Sequence, residues 1–267
     1  MLNGWYPGVG KLEISITSPS GLTTPFQRVI TTGNFQREYQ LSNARVVVET
    51  PGPDPDNGDH NFLVEIRHSN SNSAVPGGRW ELRVKNANPL SGDLDVWILD
   101  DQDSPQVAGT GAAVADSHKI GSPGCASAAL TAAAYVTRSE WQDIDGVDRA
   151  VGLALDSIAD FSSEGPLRNG QRKPDVTAPG AMIVSCLSAD SDAERSSLVD
   201  QRHLVEAGTS MACPFVAGVI ALLLQRNPQL DPAAIKTALK SASRIPSKPA
   251  GQFEIKWGFG LIQVNKL

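Results

Sequence analysis

The chain has 267 residues, 40% of them hydrophobic and 19% charged, with a formal net charge of −6 at pH 7. That length accommodates one large or two medium cores, and the composition excludes an intrinsically disordered chain. The acidic residues are scattered and no basic stripe occurs, which excludes nucleic acid as a partner.

Met1 to Lys11 shows no basic segment leading into an apolar run, so no signal peptide is visible. From Lys11 to about Leu99 the pattern is one of short alternating runs: Leu12–Ile16, Arg45–Glu49, Phe62–Ile66, Trp80–Val84 and Asp95–Leu99. Period-two alternation bounded by Gly, Pro, Asn and Asp predicts half-buried antiparallel strands, hence an all-β sandwich. The stretch Ser69–Ser73 reads as a hairpin loop. Two oxygen-rich segments, Asp54, Asp56, Asn57, Gly58 and Asp59, and then Asp100, Asp101 and Asp103, could hold structural calcium. Neither matches the full EF-hand pattern, and acidic turns between strands serve equally well without metal. No metal ligand set and no cofactor requirement is assigned.

After the acidic, turn-rich joint Asp100–Pro105 the grammar changes to Ala- and Gly-rich segments mixed with helical patterns. We expect a sandwich domain over residues 1–104 and an α/β domain over 105–267. Leu130–Val136 and Met182–Leu187 read as strands of a sheet covered on both faces. Phe215–Gln225 is apolar around most of its circumference and reads as a helix buried at the centre of the domain. Its apolar run is about half of the roughly 20 residues that a membrane span needs, so no span is expected. In Leu230–Leu239, Asp231 supplies an N-cap, Pro232 the first helical position, and Ile235 and Leu239 an apolar face. Cys125, Cys186 and Cys213 lack CxxC spacing and read as buried thiols.

Gly208-Thr209-Ser210-Met211-Ala212-Cys213-Pro214-Phe215 places a serine between a glycine turn and an apolar helix. Its hydroxyl can cap the helix, or it can act as a nucleophile whose oxyanion faces the unpaired N–H groups at the helix start. Spacing alone leaves both readings open. The string resembles the nucleophile motif of the subtilase family. Ile158–Pro166, Lys173–Gly180 and Trp257–Ile262 resemble further motifs of that family, in its order, over Gly121 to Leu267.

The resemblance implies a partial subtilisin-like parallel sheet with helices and a serine endopeptidase acting on polypeptides. Ser210 would be the catalytic nucleophile, its own N–H half of the oxyanion hole. It further implies that Gly208 permits a tight turn, that Cys213 is core packing and that Asp175 belongs to a structural loop. Leu12–Gly21 and Gly77–Val84 resemble the P domain of proprotein convertases, which implies a jelly roll with Trp80 in its core.

A triad also needs a base and an orienting carboxylate. The Asp-Ser/Thr-Gly and His-Gly-Thr motifs that supply them in subtilases do not occur. His60 and His68 lie in the β region, His118 lacks the family's glycine, and His203 reads as a strand or loop histidine. Asn3-Gly4 stands in the order of the oxyanion-hole Asn segment, on two residues only. The expectation is a chain whose catalytic Asp and His lie in a missing N-terminal half upstream, with the jelly roll inserted ahead of the nucleophile half. The alternatives are a pseudoprotease or binding module, and an inactive truncated fragment. Family resemblance favours an exported protein.

Overall fold

The computed structural model describes residues 1–8, 12–29, 33–70, 73–87, 92–99, 109 and 114–267. The chain divides into two compact units, Met1–Val114 and Ala115–Leu267. The expected joint Asp100–Pro105, with the oxygen ligands Asp100, Asp101 and Asp103, lies outside the described residues, as do Lys11, Ser71 and Asn72.

The described strands of the first unit all pair antiparallel. Strands β1 (Leu2–Tyr6), β4 (Phe35–Leu41), β5 (Ala44–Thr50), β6 (His60–His68) and β8 (Asp95–Ile98) form one sheet in the order β4-β5-β6-β1-β8. Strands β2 (Leu12–Thr17), β3 (Gln27–Arg28) and β7 (Glu81–Asn86) form a second, with β2 in the middle. All five alternating runs are strands. Their inward residues make a single core between the two sheets, with Tyr6, Val46, Val48, Phe62 and Val64 from one and Leu12, Ile14 and Ile16 from the other. Trp80 lies at the margin of this core, half-buried, its indole N–H donating to the Pro76 carbonyl at 3.1 Å.

Asn3-Gly4 belongs to β1, where Asn3 stands opposite Leu63 and Trp97. A Cβ on Gly4 would fall 2.1 Å from the Phe62 ring, so core packing accounts for this glycine. The acidic loop is a turn: Asp54 Oδ1 accepts the amides of Asp56 and Asn57, and the Asp59 amide donates to Asn57 Oδ1. Among the described residues no group of three or more His, Cys, Asp or Glu side chains is placed to hold a metal ion.

The second unit is built on the parallel pair β9 (Ala132–Val136) and β12 (Val176–Ala181), which belong to a sheet ordered β15-β16-β12-β9. β16 (Leu261–Ile262) runs parallel to β12, and β15 (Ser243–Arg244) antiparallel to β16. A small hairpin, β10 (Glu140–Gln142) with β11 (Asp148–Ala150), precedes β12. Met182–Leu187 does not join the parallel sheet. Its strand β13 (Ile183–Cys186) pairs antiparallel with β14 (His203–Glu206) in a half-exposed hairpin.

Helix α1 (Thr209–Arg226) lies on this sheet through Ala212, Val216 and Val219, which meet Val176, Ala178 and Ile262 together with Ile235 and Leu239 of α2 (Pro232–Ser241). α2 starts as its sequence predicts, with Asp231 Oδ1 accepting the Ala234 amide at 2.7 Å and Pro232 at the first turn. α1 departs from expectation. Its apolar surface is not enclosed, for Phe215 is 39% and Leu222 57% exposed, so within this unit it is a half-covered helix and not a buried one. By length and composition α1 is also the one described helix able to cross a membrane.

This asymmetry is measurable. Leu239, fully buried, should cost about 2–5 kcal/mol on replacement by Ala. Leu222→Ser should change stability by no more than about 0.5 kcal/mol. Urea unfolding of the two variants checks the contrast.

Candidate active site

β12 ends at Ala181, and the chain turns through Met182, whose φ of 51° is in the left-handed region. It then runs out along β13, back along β14, and reaches Gly208. There the Gly208 amide donates to the Gly180 carbonyl at 2.8 Å, and the Met211 amide turns back onto the Gly208 carbonyl at 3.0 Å. Helix α1 starts at the next residue, which sets Ser210 in its first turn with its residue surface exposed. Gly208, the N-cap residue, offers no side-chain acceptor.

The first four amides of a helix have no intrahelical acceptor and carry its positive dipole end. The Ser210 amide is one of them. Pro214, one turn further on, has no N–H to donate to the Ser210 carbonyl, so the backbone around Ser210 is less committed to the helix than at an ordinary position. An exposed hydroxyl thus stands beside amides that can stabilise developing negative charge.

Steric necessity falls on Gly180, not on Gly208. Gly208 has an extended φ of 162°, and a Cβ there would meet Ser210 Cβ at 3.7 Å and Met211 Sδ at 3.6 Å, both ordinary contacts. The tight-turn reading of Gly208 is therefore corrected. A Cβ on Gly180 would lie 2.6 Å from Ala134 Cβ and 3.0 Å from the Gly208 carbonyl oxygen. Nothing in its spacing marked Gly180 apart from its neighbours, because the collision comes from a different strand. Gly180→Ala should lower stability by about 1–3 kcal/mol, and Gly208→Ala by less than about 0.5 kcal/mol, in denaturant titrations.

The opposite end of β12 is held by charge. Asp175 is buried at 1% exposure, with Lys173 Nζ 2.7 Å from Oδ2 and Lys236 and Lys240 Nζ 3.1 and 3.0 Å from Oδ1. Its Oδ2 also accepts the Thr131 amide at the start of β9, and its carbonyl accepts the Phe259 amide. One residue thereby joins β9, β12 and α2 through its carboxylate and the Trp257–Ile262 segment through its carbonyl, a structural role. Burial disfavours the charged form, but the Lys173 ammonium, the Thr131 amide and Lys240 outweigh it and hold the carboxyl below its ordinary value.

A lowered folded pKa stabilises the fold above the unfolded value of about 4, and that contribution disappears as pH falls through the folded value. Asp175→Asn, which leaves Lys173 buried without its counter-charge, should cost about 3–5 kcal/mol at neutral pH. It should also flatten the loss of stability below about pH 4. Urea midpoints at pH 7 and pH 3 test both effects.

The remaining motifs also bear on the sheet. Ile158–Pro166 covers the outer edge of β9: the Ala159 amide donates to the Ala134 carbonyl, and the Ala134 amide to Ser162 Oγ. In the closing segment Gly258 has φ +61° and a Cβ there would strike the Pro174 carbonyl at 2.6 Å, while Thr177 Oγ1 donates to the Trp257 carbonyl.

His60 and His68 are on β6 of the first unit, His60 buried and stacked on Tyr6. His118, at φ 57°, lies in a loop. His203 opens β14, with Nδ1 2.9 Å from Asp200 Oδ2. The strand runs from His203 to Glu206, which at about 3.3 Å per residue puts roughly 10 Å between the ring and the end of the hairpin nearest Ser210. The three cysteines are free and exposed, so the expectation of buried thiols, and of Cys213 as core packing, does not hold.

Comparison with known proteins places these features among proteases. A family model described as the Subtilase family, peptidase S8, matches residues 85–260. Serine protease AprX of Bacillus subtilis is 37% identical over 131 residues, 48% of this chain and 27% of that protein. Subtilisin-like protease SBT2.6 of Arabidopsis thaliana is 37% identical over 108 residues, 38% of this chain and 13% of that protein. The chain thus spans about a quarter or less of the length of these curated relatives. Among solved structures, that of the Clostridium perfringens CspB protease superposes over 99% of this chain and 51% of its own, with a TM-score of 0.70 at 20% identity. At that identity the likeness is one of fold.

Proposed function

The chain belongs to the subtilase family, and from that premise we propose that it is the nucleophile-bearing half of a serine endopeptidase. The observation that carries this reading is the exposed Ser210 in the first turn of α1, beside helix amides with no intrahelical partner. Ser210 Oγ attacks the scissile carbonyl of a polypeptide. The Ser210 amide donates to the resulting oxyanion, the amine leaves, and water hydrolyses the acyl ester.

The base that takes the Ser210 proton, and the carboxylate that orients it, are assigned to sequence upstream of this chain. The half-covered surface of α1 supports that assignment, since Phe215 and Leu222 offer apolar area that a further part of the domain would bury. The first unit is read as a jelly roll of the P-domain kind, inserted ahead of the nucleophile half. Its two antiparallel sheets around one core support this. Family membership favours export. The same exposed helix, with His203 turned to Asp200, favours the second reading, a binding module or inactive fragment in which Ser210 is only an exposed residue of the first turn of α1.

In a polypeptide joining these 267 residues to an upstream half that carries a His-Gly-Thr segment, Ser210→Ala should reduce casein hydrolysis by at least about 1,000-fold with the fold unchanged by circular dichroism. Retained hydrolysis would assign the chemistry to another residue.

A further inference from the structure

The hairpin β13–β14 carries a second group of chemically active side chains, away from Ser210. Cys186 ends β13 directly opposite His203, which begins β14. Residues opposite one another in an antiparallel ladder project to the same face, with Cβ atoms about 4.5–5.5 Å apart. The Leu187 amide donates to the Arg202 carbonyl at 2.6 Å, so the neighbouring pair is the hydrogen-bonded one. Cys186 and His203 therefore occupy a non-hydrogen-bonded site, where side chains approach most closely.

His203 is oriented from behind. Its Nδ1 lies 3.0 and 2.9 Å from the two oxygens of Asp200. An ionised carboxylate only accepts, so Nδ1 carries the proton and Nε2 keeps a free lone pair. The Arg202 amide holds the Asp200 carboxyl below its usual range, with His203 adding to the effect. Cys186 is exposed and outside any disulfide.

From this juxtaposition we infer that Cys186 is a reactive thiol, served by His203 as base and Asp200 as positioning residue, and that it exchanges with low-molecular-weight disulfides to form a mixed disulfide. The Cys186 proton passes to His203 Nε2, and the thiolate attacks one sulfur of the external disulfide. A new S–S bond forms as the old one breaks, and the departing thiolate takes the proton. The Cys186 sulfur is oxidised and the departing sulfur reduced, with no further reactant. The other charged groups at the pair are Arg202, next to His203, and Arg195, on the turn packed against β14, where Asp145 already engages it. The two remaining thiols, Cys125 and Cys213, are also exposed and serve as internal references.

The test uses the 267-residue chain and an aromatic disulfide, 5,5′-dithiobis(2-nitrobenzoic acid), with each thiol followed by peptide mass mapping. Cys186 should react about 10-fold faster than Cys125 and Cys213 at pH 7. His203→Ala should bring its rate down to that of the other two. Asp200→Asn, a milder change, should give an intermediate rate. Equal rates for the three thiols in the unaltered chain, or an unchanged Cys186 rate in a folded His203→Ala or Asp200→Asn variant, would overturn the inference. The comparison within the unaltered chain does not depend on any variant folding, and none of these outcomes bears on Ser210.

Discussion

The hydrogen bond from the Gly208 amide to the Gly180 carbonyl ties the start of α1 to the end of β12, and the position of Ser210 follows from it. It can form only because residue 180 has no side chain. Ala134, on the neighbouring parallel strand, fills the space a Cβ would take. At the other end β12 is anchored by Asp175 and its lysines, and along its length it is backed by Ala212 and Val216 of α1. Strand, helix and serine thus form one rigid sequence of contacts, which is what a nucleophile needs if it is to be presented in one geometry.

The chemistry that this arrangement supports is incomplete in a specific way. Helix amides and an exposed hydroxyl offer a candidate nucleophile and a place for negative charge, but among the described residues no histidine is hydrogen-bonded to Ser210. His203 is instead committed to Asp200 at the far end of the hairpin. The exposed apolar side of α1, with Phe215 and Leu222 in water, is the surface that the proposed upstream half would cover. An apolar helix surface of this kind is costly in water and is ordinarily covered.

The sequence made some of this legible and hid the rest for physical reasons. β2, β5, β6, β7 and β8 were readable because one face of each meets the core and the other meets solvent. β4 was not, since Gln36, Arg37 and Glu38 are all exposed and leave no alternation to detect. β12 was recognisable as a motif but not as a strand. Val-Thr-Ala-Pro-Gly-Ala resembles a loop, and small residues are used there because a second strand and a helix start approach so closely. α2 announced itself through Asp231, Pro232 and the Ile235–Leu239 pair. For α1, apolarity indicates that a surface would be stable when covered, not that the chain itself covers it; the same limit misplaced Cys213.

The most direct measurement is fluorophosphonate labelling followed by peptide mapping, carried out on these 267 residues alone and on a protein that adds the upstream half. The account predicts strong labelling at Ser210 in the longer protein and very little in the shorter one, because the oxyanion site is present in both and the base in only one. Equal labelling of the two, or an adduct on a residue other than Ser210, would contradict it.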